Sequence, residues 1–142
     1  MTKVLIIDDE APARKMISEL LKKYADFEVI GEAGNGFEAL KLIQELNPDL
    51  LFLDIQMPKI SGLELLELLD KPPNVIFTTA YSEHAIKAFE MNALDYLLKP
   101  IQEERFEQAL KKIEKKPGRT DFSKILTSPP NDYEKLRRIV VK

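Results

Sequence analysis

Five short apolar runs, each separated from the next by a stretch with helical spacing, constrain this chain more than any other feature of its 142 residues. Each run is too short to form a helix of its own, so we expect a buried strand at each. The runs occupy residues 4–7, 27–30, 50–53, 75–77 and 96–98. Their alternation with helices predicts an α/β fold, in which a doubly wound, five-stranded parallel sheet has helices on both faces.

The stretches between the runs have the spacing of amphipathic helices. The first and last of them carry apolar stripes at Ala13, Met16, Ile17, Leu20, Leu21 and Tyr24, and at Phe106, Ala109, Leu110 and Ile113. Residues that commonly cap helix starts precede the middle three helices. They are Asn35, Ser61 with Glu64 in a capping box, and Ser82.

Charged and hydroxyl side chains directly follow the apolar runs. They are Asp8 and Asp9 after the first run, Asp54 after the third, Thr78 and Thr79 after the fourth, and Lys99 after the fifth, whereas the second run is followed only by Gly31 and Glu32. In a doubly wound sheet, ligands bind at the carboxyl ends of the strands. We therefore expect three carboxylates, a hydroxyl and an ammonium to meet at one edge of the sheet.

Neighbouring carboxylates repel each other unless a cation is present, so Asp8, Asp9 and Asp54 predict a metal site. Two carboxylates, a carbonyl and waters suit the small octahedral shell of Mg²⁺ better than the larger shell of Ca²⁺. Taken singly, each residue also has an ordinary structural explanation, such as a loop aspartate or a surface lysine. The only histidine, His84, is predicted to lie in an exposed helix without a partner.

Four segments carry a resemblance to a known family: "LIIDDEAPAR", "PDLLFLDIQMPKISGLELL", "VIFTTAY" and "ALDYLLKPI". Together they resemble the receiver domain of bacterial two-component response regulators, over residues 1–116. The resemblance implies a flavodoxin-like (βα)5 fold with strand order 2-1-3-4-5. It also implies a switch protein that accepts a phosphoryl group from a sensor histidine kinase, rather than a turnover enzyme.

The resemblance assigns roles at matching positions. Asp54 would be the phosphoacceptor, and Asp9, Asp54 and the main-chain carbonyl of Gln56 would bind Mg²⁺ directly. Asp8 would act through a coordinated water. These roles suit phosphoryl transfer, in which cations and donors are placed around the phosphoryl oxygens.

The same resemblance assigns the conformational switch. Thr79 and Lys99 would contact the phosphoryl group, and Thr79 and Tyr96 would move together when it binds. The Lys99-Pro100 peptide would be cis. Phosphorylation would drive homodimerisation through the face formed by the fourth helix, the fifth strand and the fifth helix.

Two other classes of α/β protein are alternatives to a receiver domain. A nucleotide- or flavin-binding protein would need a glycine-rich turn after the first strand, where this chain has Asp8, Asp9 and Glu10. A magnesium-dependent phosphatase with an aspartyl-phosphate intermediate would have an Asp-x-Asp motif there, and adjacent aspartates fit it poorly. The phosphatase remains the alternative prediction.

The composition of the chain excludes some kinds of site and indicates the cellular compartment. The chain has no cysteine, so disulfides and thiolate metal sites are excluded. With neither a leader segment nor an apolar run of bilayer length, a cytoplasmic protein without membrane contact is expected. Residues 1–110 hold 11 basic and 20 acidic side chains, whereas residues 111–142 hold 10 and 4. An acidic body with a basic tail is therefore predicted.

The sequence pattern of residues 117–142 differs from that of residues 1–116. Pro117 and Gly118 predict the end of the last helix, and the segment "RIVVK" is typical of a strand that begins. We expect a linker and the start of a missing C-terminal output domain, through which alone DNA would be bound. The segment "VIFTTAYSEHAIKAFEMNALDYLLKPI" resembles receivers of the LytTR family of transcription regulators.

Overall fold

The computed structural model describes residues 1–115. The predictions for the linker, for the apolar patch at Phe122, Ile125 and Leu126, and for the strand that would begin near Arg138 lie outside these residues. None of the described helices is both long enough and apolar enough to cross a membrane.

Five strands alternate with five helices along the chain. The strands are β1 (Thr2–Ile7), β2 (Phe27–Ala33), β3 (Leu50–Asp54), β4 (Asn74–Thr79) and β5 (Asp95–Leu98). The helices are α1 (Ala11–Leu21), α2 (Gly36–Leu46), α3 (Gly62–Glu67), α4 (His84–Glu90) and α5 (Glu103–Lys115). All strand pairs are parallel, in the order β2-β1-β3-β4-β5. The predicted fold class and strand order are confirmed.

The core has two layers, one on each face of the sheet. Successive side chains of a strand point to opposite faces, so Leu5 and Ile7 of β1 pack in one layer while Val4 and Ile6 pack in the other. The first layer includes buried residues of α2, α3 and α4, and the second includes those of α1 and α5. Burial on both faces explains why the central strands read as continuous apolar runs.

Two of the three predicted helix caps are confirmed. The Asn35 side chain accepts a hydrogen bond from the Glu38 main chain at 2.8 Å, and Ser61 and Glu64 form a reciprocal capping box. Ser82 does not cap α4, because the chain already turns through main-chain hydrogen bonds from residue 84 to residue 81 and from residue 85 to residue 82. The helix begins at His84 without a side-chain cap.

Three further expectations need correction. The helical spacing predicts that Met16 lies on the buried stripe of α1, but its side chain is 42% exposed, because Ile17 and Leu21 make the buried contacts of this short helix. Tyr24 lies beyond the end of α1. The pair Gly31 and Glu32 lies within β2 rather than after it, because β2 resumes its pairing with β1 beyond a register shift and continues to Ala33.

Candidate functional site at the carboxyl ends of the strands

Three carboxylates meet where β1 and β3 end. The strands are neighbours in the sheet, with Ile7 paired to Leu53, so the next residue of each chain segment stands beside its counterpart. Asp8 and Asp54 are buried and Asp9 is exposed. One side-chain oxygen from each of the three lies within 4.8 Å of the others. The sequence-based expectation that these residues converge is confirmed.

Main-chain donors orient the two buried carboxylates. The N–H of Glu10 donates to Asp8 Oδ1 at 2.9 Å, and the N–H of Gln56 donates to Asp54 Oδ1 at 3.1 Å. In both cases the donor follows two residues after the acceptor, as in an Asx-turn. The second oxygen of each carboxylate remains for a cation.

Lys99 supplies the ammonium that the sequence predicted. It directly follows β5 and precedes Pro100 in a cis Lys99-Pro100 peptide, and its Nζ lies 2.9 Å from Asp8 Oδ2 and 3.6 Å from Asp54 Oδ2. Burial lowers the pKa of Lys99, but its hydrogen bond to Asp8 and the charges of both carboxylates outweigh burial and raise it. The lysine is therefore a fixed positive charge at neutral pH.

One ammonium does not neutralise three carboxylates. Burial, followed by the negative charge of Asp8, raises the pKa of Asp54 from 3.8 to about 7 despite the nearby Lys99. A hard divalent cation with oxygen ligands would relieve this repulsion, and the three carboxylate oxygens are the ligand type that Mg²⁺ takes. The donor set therefore fits a magnesium site.

The loop between β3 and α3 is packed tightly against Asp54. The N–H of Gly62 donates to the main-chain oxygen of Ile55 at 2.9 Å. A Cβ atom at Gly62 would collide with the main-chain carbonyl of Asp54. Glycine at this position therefore allows the start of α3 to approach the back of the site.

Thr79 lies at the end of β4 as predicted, with an arrangement that the sequence did not reveal. Its hydroxyl is hydrogen-bonded to Nδ1 of His84 at 2.8 Å and accepts from the N–H of Tyr81 at 3.1 Å. The prediction that His84 has no partner is wrong. The half-buried ring turns back to the strand because α4 begins at His84 itself, directly after the turn at residues 81–84.

Tyr96, the second predicted switch residue, is half-buried on β5. Its ring contacts Phe89 of α4 edge-on, with centroids 6.3 Å apart, and the guanidinium of Arg105 lies 5.8 Å from its centroid. Arg105 also donates to the Tyr96 carbonyl and, through two nitrogens, to the buried carboxylate of Asp95. Sequence reasoning missed Asp95 and Arg105, although an aspartate at the start of an apolar run was a signal.

Arg14 is a further residue that the sequence did not single out. Its Nη1 donates to the main-chain oxygen of Asp8 at 2.6 Å, and its Nε donates to Glu32 at 3.1 Å. The guanidinium thus links α1 and β2 to the backbone that positions Asp8. Glu32, which the sequence predicts to follow the second strand, lies in β2 and accepts the hydrogen bond from Arg14.

The fold and the site together define a class: a doubly wound α/β protein with an acidic pocket, a lysine and a hydroxyl at the carboxyl edge of its sheet. Residues 4–111 match the response regulator receiver domain family, and the chain belongs to that family. Receiver domains generally bind Mg²⁺ at an acidic pocket, which corresponds here to Asp8, Asp9 and Asp54.

Curated relatives agree with this assignment. The chain is 48% identical over 146 residues to an uncharacterised response regulatory protein of Vibrio cholerae, covering 99% of this chain and 61% of the relative. It is 48% identical over 125 residues to the transcriptional regulatory protein BtsR of Escherichia coli, covering 87% of this chain and 52% of BtsR. The chain thus spans between half and two thirds of the length of these relatives.

Solved structures show the same fold. The response regulatory domain of mrkE from Klebsiella pneumoniae is 37% identical and has a TM-score of 0.72, over 80% of this chain and 95% of that one. The receiver domain of AraT from Geobacillus stearothermophilus is 38% identical with a TM-score of 0.71, over 80% and 94%. The predicted receiver domain is confirmed, and no support for the alternative phosphatase comes from these similarities.

Proposed function

We propose that this chain accepts a phosphoryl group on Asp54 from a sensor histidine kinase and thereby switches a transcription regulator. The observation that carries the proposal is the competition of two buried carboxylates, Asp8 and Asp54, for the single ammonium of Lys99. Buried charges without full compensation are costly and are typical of sites that act on a ligand. The receiver family assignment agrees with this reading.

The nucleophile is the carboxylate of Asp54. One of its oxygens forms a bond to phosphorus while the N–P bond of the donor phosphohistidine breaks, and the electron pair of that bond leaves with the imidazole. Negative charge spreads over the equatorial phosphoryl oxygens during this transfer. Residues around Asp54 therefore assist the transfer by placing positive charge and hydrogen-bond donors next to those oxygens.

Lys99 is the first such group, because its ammonium already lies 3.6 Å from Asp54. The Thr79 hydroxyl is the second and donates after a rearrangement at the end of β4. Asp8, Asp9, Asp54 and the Gln56 main-chain carbonyl would hold Mg²⁺, which supplies positive charge to the phosphoryl oxygens when bound. Its presence would also favour the ionised form of the nucleophile.

The switch would reach the surface through the Thr79 and Tyr96 pair. Three large apolar side chains between the end of β4 and the end of β5 are exposed: Tyr81 at 47%, Ile86 at 61% and Leu98 at 43%. Exposed apolar groups of this size suit a surface that is covered in one state of a switch. We propose that this face, formed by α4, β5 and α5, mediates homodimerisation on phosphorylation.

The output of the switch is proposed to be transcription. BtsR is a transcriptional regulatory protein by name, and the matching region is about half of its length. We propose that residues 1–116 form the receiver domain and that residues 117–142 lead into a C-terminal output domain of the LytTR type, which alone binds DNA. The LytTR assignment rests on the sequence resemblance.

The proposal is tested by phosphorylation of the full chain with a small phosphodonor and Mg²⁺. The wild-type protein should take up one equivalent of base-labile phosphate, and Asp54→Asn should take up none because its amide is not a nucleophile. Asp70→Asn changes an exposed aspartate outside the site and should behave as the wild type. Intact-mass measurement resolves each species.

Two results would contradict the proposal. Uptake of a full equivalent by the Asp54→Asn protein would place the acceptor elsewhere. Continuous release of phosphate, with no accumulated adduct, would favour the alternative of a turnover phosphatase.

A further inference from the structure

The hydroxyl of Thr79 is hydrogen-bonded to His84, a residue that has no role in the proposed phosphoryl transfer. Thr79 is fully buried, and its Oγ1 lies 2.8 Å from Nδ1 of His84, the first residue of α4. The N–H of Tyr81 donates to the same oxygen at 3.1 Å. The oxygen is therefore engaged as an acceptor, and the hydroxyl hydrogen remains to be donated.

His84 is the better of the two acceptors for this hydrogen. The other candidate, the main-chain oxygen of Tyr81, is 3.5 Å from Thr79 Oγ1, at the outer limit of a hydrogen bond. A neutral imidazole that carries its hydrogen on Nε2 presents a lone pair at Nδ1. We assign this tautomer to His84, so that Thr79 donates to it.

We propose that His84 is a positioning residue for the switch: its Nδ1 holds the Thr79 hydrogen in the unphosphorylated protein and releases it on phosphorylation. The inference rests on the proposed function, in which this hydroxyl donates to a phosphoryl oxygen. A hydroxyl has one hydrogen and cannot donate to both acceptors. Phosphorylation of Asp54 therefore breaks the hydrogen bond between Thr79 and His84.

This exchange gives α4 a direct connection to the site. His84 is the residue at which α4 begins, and its ring packs edge-on against the exposed ring of Tyr81, with centroids 5.9 Å apart. Release of Thr79 removes the contact that ties the start of α4 to β4. His84 thus favours the unphosphorylated arrangement, by roughly two- to tenfold if the bond has the usual net strength.

The chain contains one histidine, which makes the imidazole signals unambiguous in a nitrogen-15 NMR spectrum. The measurement uses the full chain with Mg²⁺, in alkaline buffer in which an imidazole is neutral. Before addition of beryllofluoride, an analogue of the phosphoryl group, Nδ1 should have the shift of a hydrogen-bonded acceptor. At saturation it should move to the shift of a free Nδ1.

Thr79→Val provides the reference for the free ring, because valine keeps the shape of threonine and lacks the hydroxyl. In this variant Nδ1 of His84 should have the free shift from the start. Agreement between the variant and the saturated wild type identifies the lost partner as Thr79.

Affinity for beryllofluoride gives a second measurement. His84→Phe keeps an aromatic ring against Tyr81 but removes the acceptor, so it should bind the analogue roughly two- to tenfold more tightly than the wild type. Lys87→Gln is a matched control on the same helix, since the ion pair of Lys87 within residues 1–115 is a 4.0 Å pair with Glu90. Its affinity should equal that of the wild type.

Failure of this inference and failure of the proposed function are distinguishable. If the wild type binds the analogue but its Nδ1 signal does not move, or if His84→Phe binds equally or more weakly, the role of His84 is wrong while the phosphoacceptor assignment stands. If the wild type binds no beryllofluoride at all, both are overturned.

Discussion

Two buried aspartates lie on opposite sides of β4 and have opposite electrostatic surroundings. Asp54 ends β3 and is 3% exposed, and Asp95 begins β5 and is 1% exposed. Burial raises the pKa of both carboxyl groups. The net effect nevertheless differs in sign: the pKa of Asp54 rises to about 7, whereas that of Asp95 falls below its ordinary value.

The two pKa shifts differ in sign because Asp54 and Asp95 have different hydrogen-bond donors and neighbouring charges. Asp95 receives two hydrogen bonds from Arg105 at 2.8 and 2.7 Å, one from the Tyr96 main chain at 2.8 Å, and an ion pair with Lys112 at 3.2 Å. In the part of the chain that the structure describes, Asp54 has one main-chain donor and a lysine at 3.6 Å, which lies closer to Asp8.

These contacts indicate a structural role for Asp95 and a ligand-binding role for Asp54. The carboxylate of Asp95 is fully compensated by the protein and fastens α5 to β5. That of Asp54 lacks compensation, and we infer that a ligand supplies it. Burial of a charge therefore does not by itself mark a functional site; the balance of its partners does.

The largest change in the free energy of unfolding is expected when a charged partner of Asp95 is removed. Arg105→Met keeps an unbranched side chain but removes the guanidinium, so that Lys112 is the cation left beside the buried carboxylate of Asp95 among the described residues. The free energy of unfolding should fall by about 2–4 kcal/mol, because removing one partner strands a buried charge. Urea denaturation followed by circular dichroism measures the change.

The control for this variant is Lys23→Met. It removes the ion pair between Lys23 and Glu103, which is of similar length at 2.8 Å but more than half exposed on both sides. An exposed pair contributes little to stability, so the denaturation midpoint should not shift measurably. Equal losses in the two variants would show that the Asp95 network is no different from a surface ion pair.

Substitution of Asp54 is expected to change the stability by a smaller amount and to increase it. The pKa of Asp54 is raised from 3.8 to about 7 in the folded protein, so the folded state holds its proton more firmly than the unfolded state between these values. Without a divalent cation, the stability from this group is complete below about pH 4, declines as the pH rises, and is lost above about pH 7.

Asp54→Asn removes this decline and should stabilise the metal-free protein by about 1–2 kcal/mol in alkaline buffer. Asp95→Asn should do the reverse, because the lowered pKa of Asp95 contributes stability above the ordinary carboxyl pKa and loses it on acidification. Denaturation at several pH values checks both variants. A loss of stability in Asp54→Asn at alkaline pH would mean that its carboxylate is compensated after all.

The sequence predicted the pocket better than it predicted the Asp95 network, for a physical reason. Asp8, Asp54 and Lys99 each directly follow an apolar run, and the parallel topology brings such positions to one edge. Arg105 reaches Asp95 only because α5 packs across β5, and no periodic pattern relates two residues ten positions apart.

His84 was missed for a similar reason. Its contact with Thr79 depends on the residue at which α4 begins, and the apparent cap at Ser82 pointed to an earlier start. Met16 fits the helical spacing of α1, but spacing does not say how much of a stripe the sheet covers. Tertiary packing decides the exposure of Met16 and the contact between Arg105 and Asp95, whereas the start of α4 decides the contact of His84.

A carbon-13 NMR titration of both carboxyl groups in one sample measures whether the charge of Asp54 needs a ligand to offset it while that of Asp95 does not. In metal-free protein, Asp54 should titrate near pH 7, as its pKa of about 7 requires, and Asp95 below the ordinary range. Addition of Mg²⁺ should lower the pKa of Asp54 and leave that of Asp95 unchanged. An Asp54 carboxyl with an ordinary acidic pKa, or one whose pKa does not respond to Mg²⁺, would show that the protein already compensates its charge.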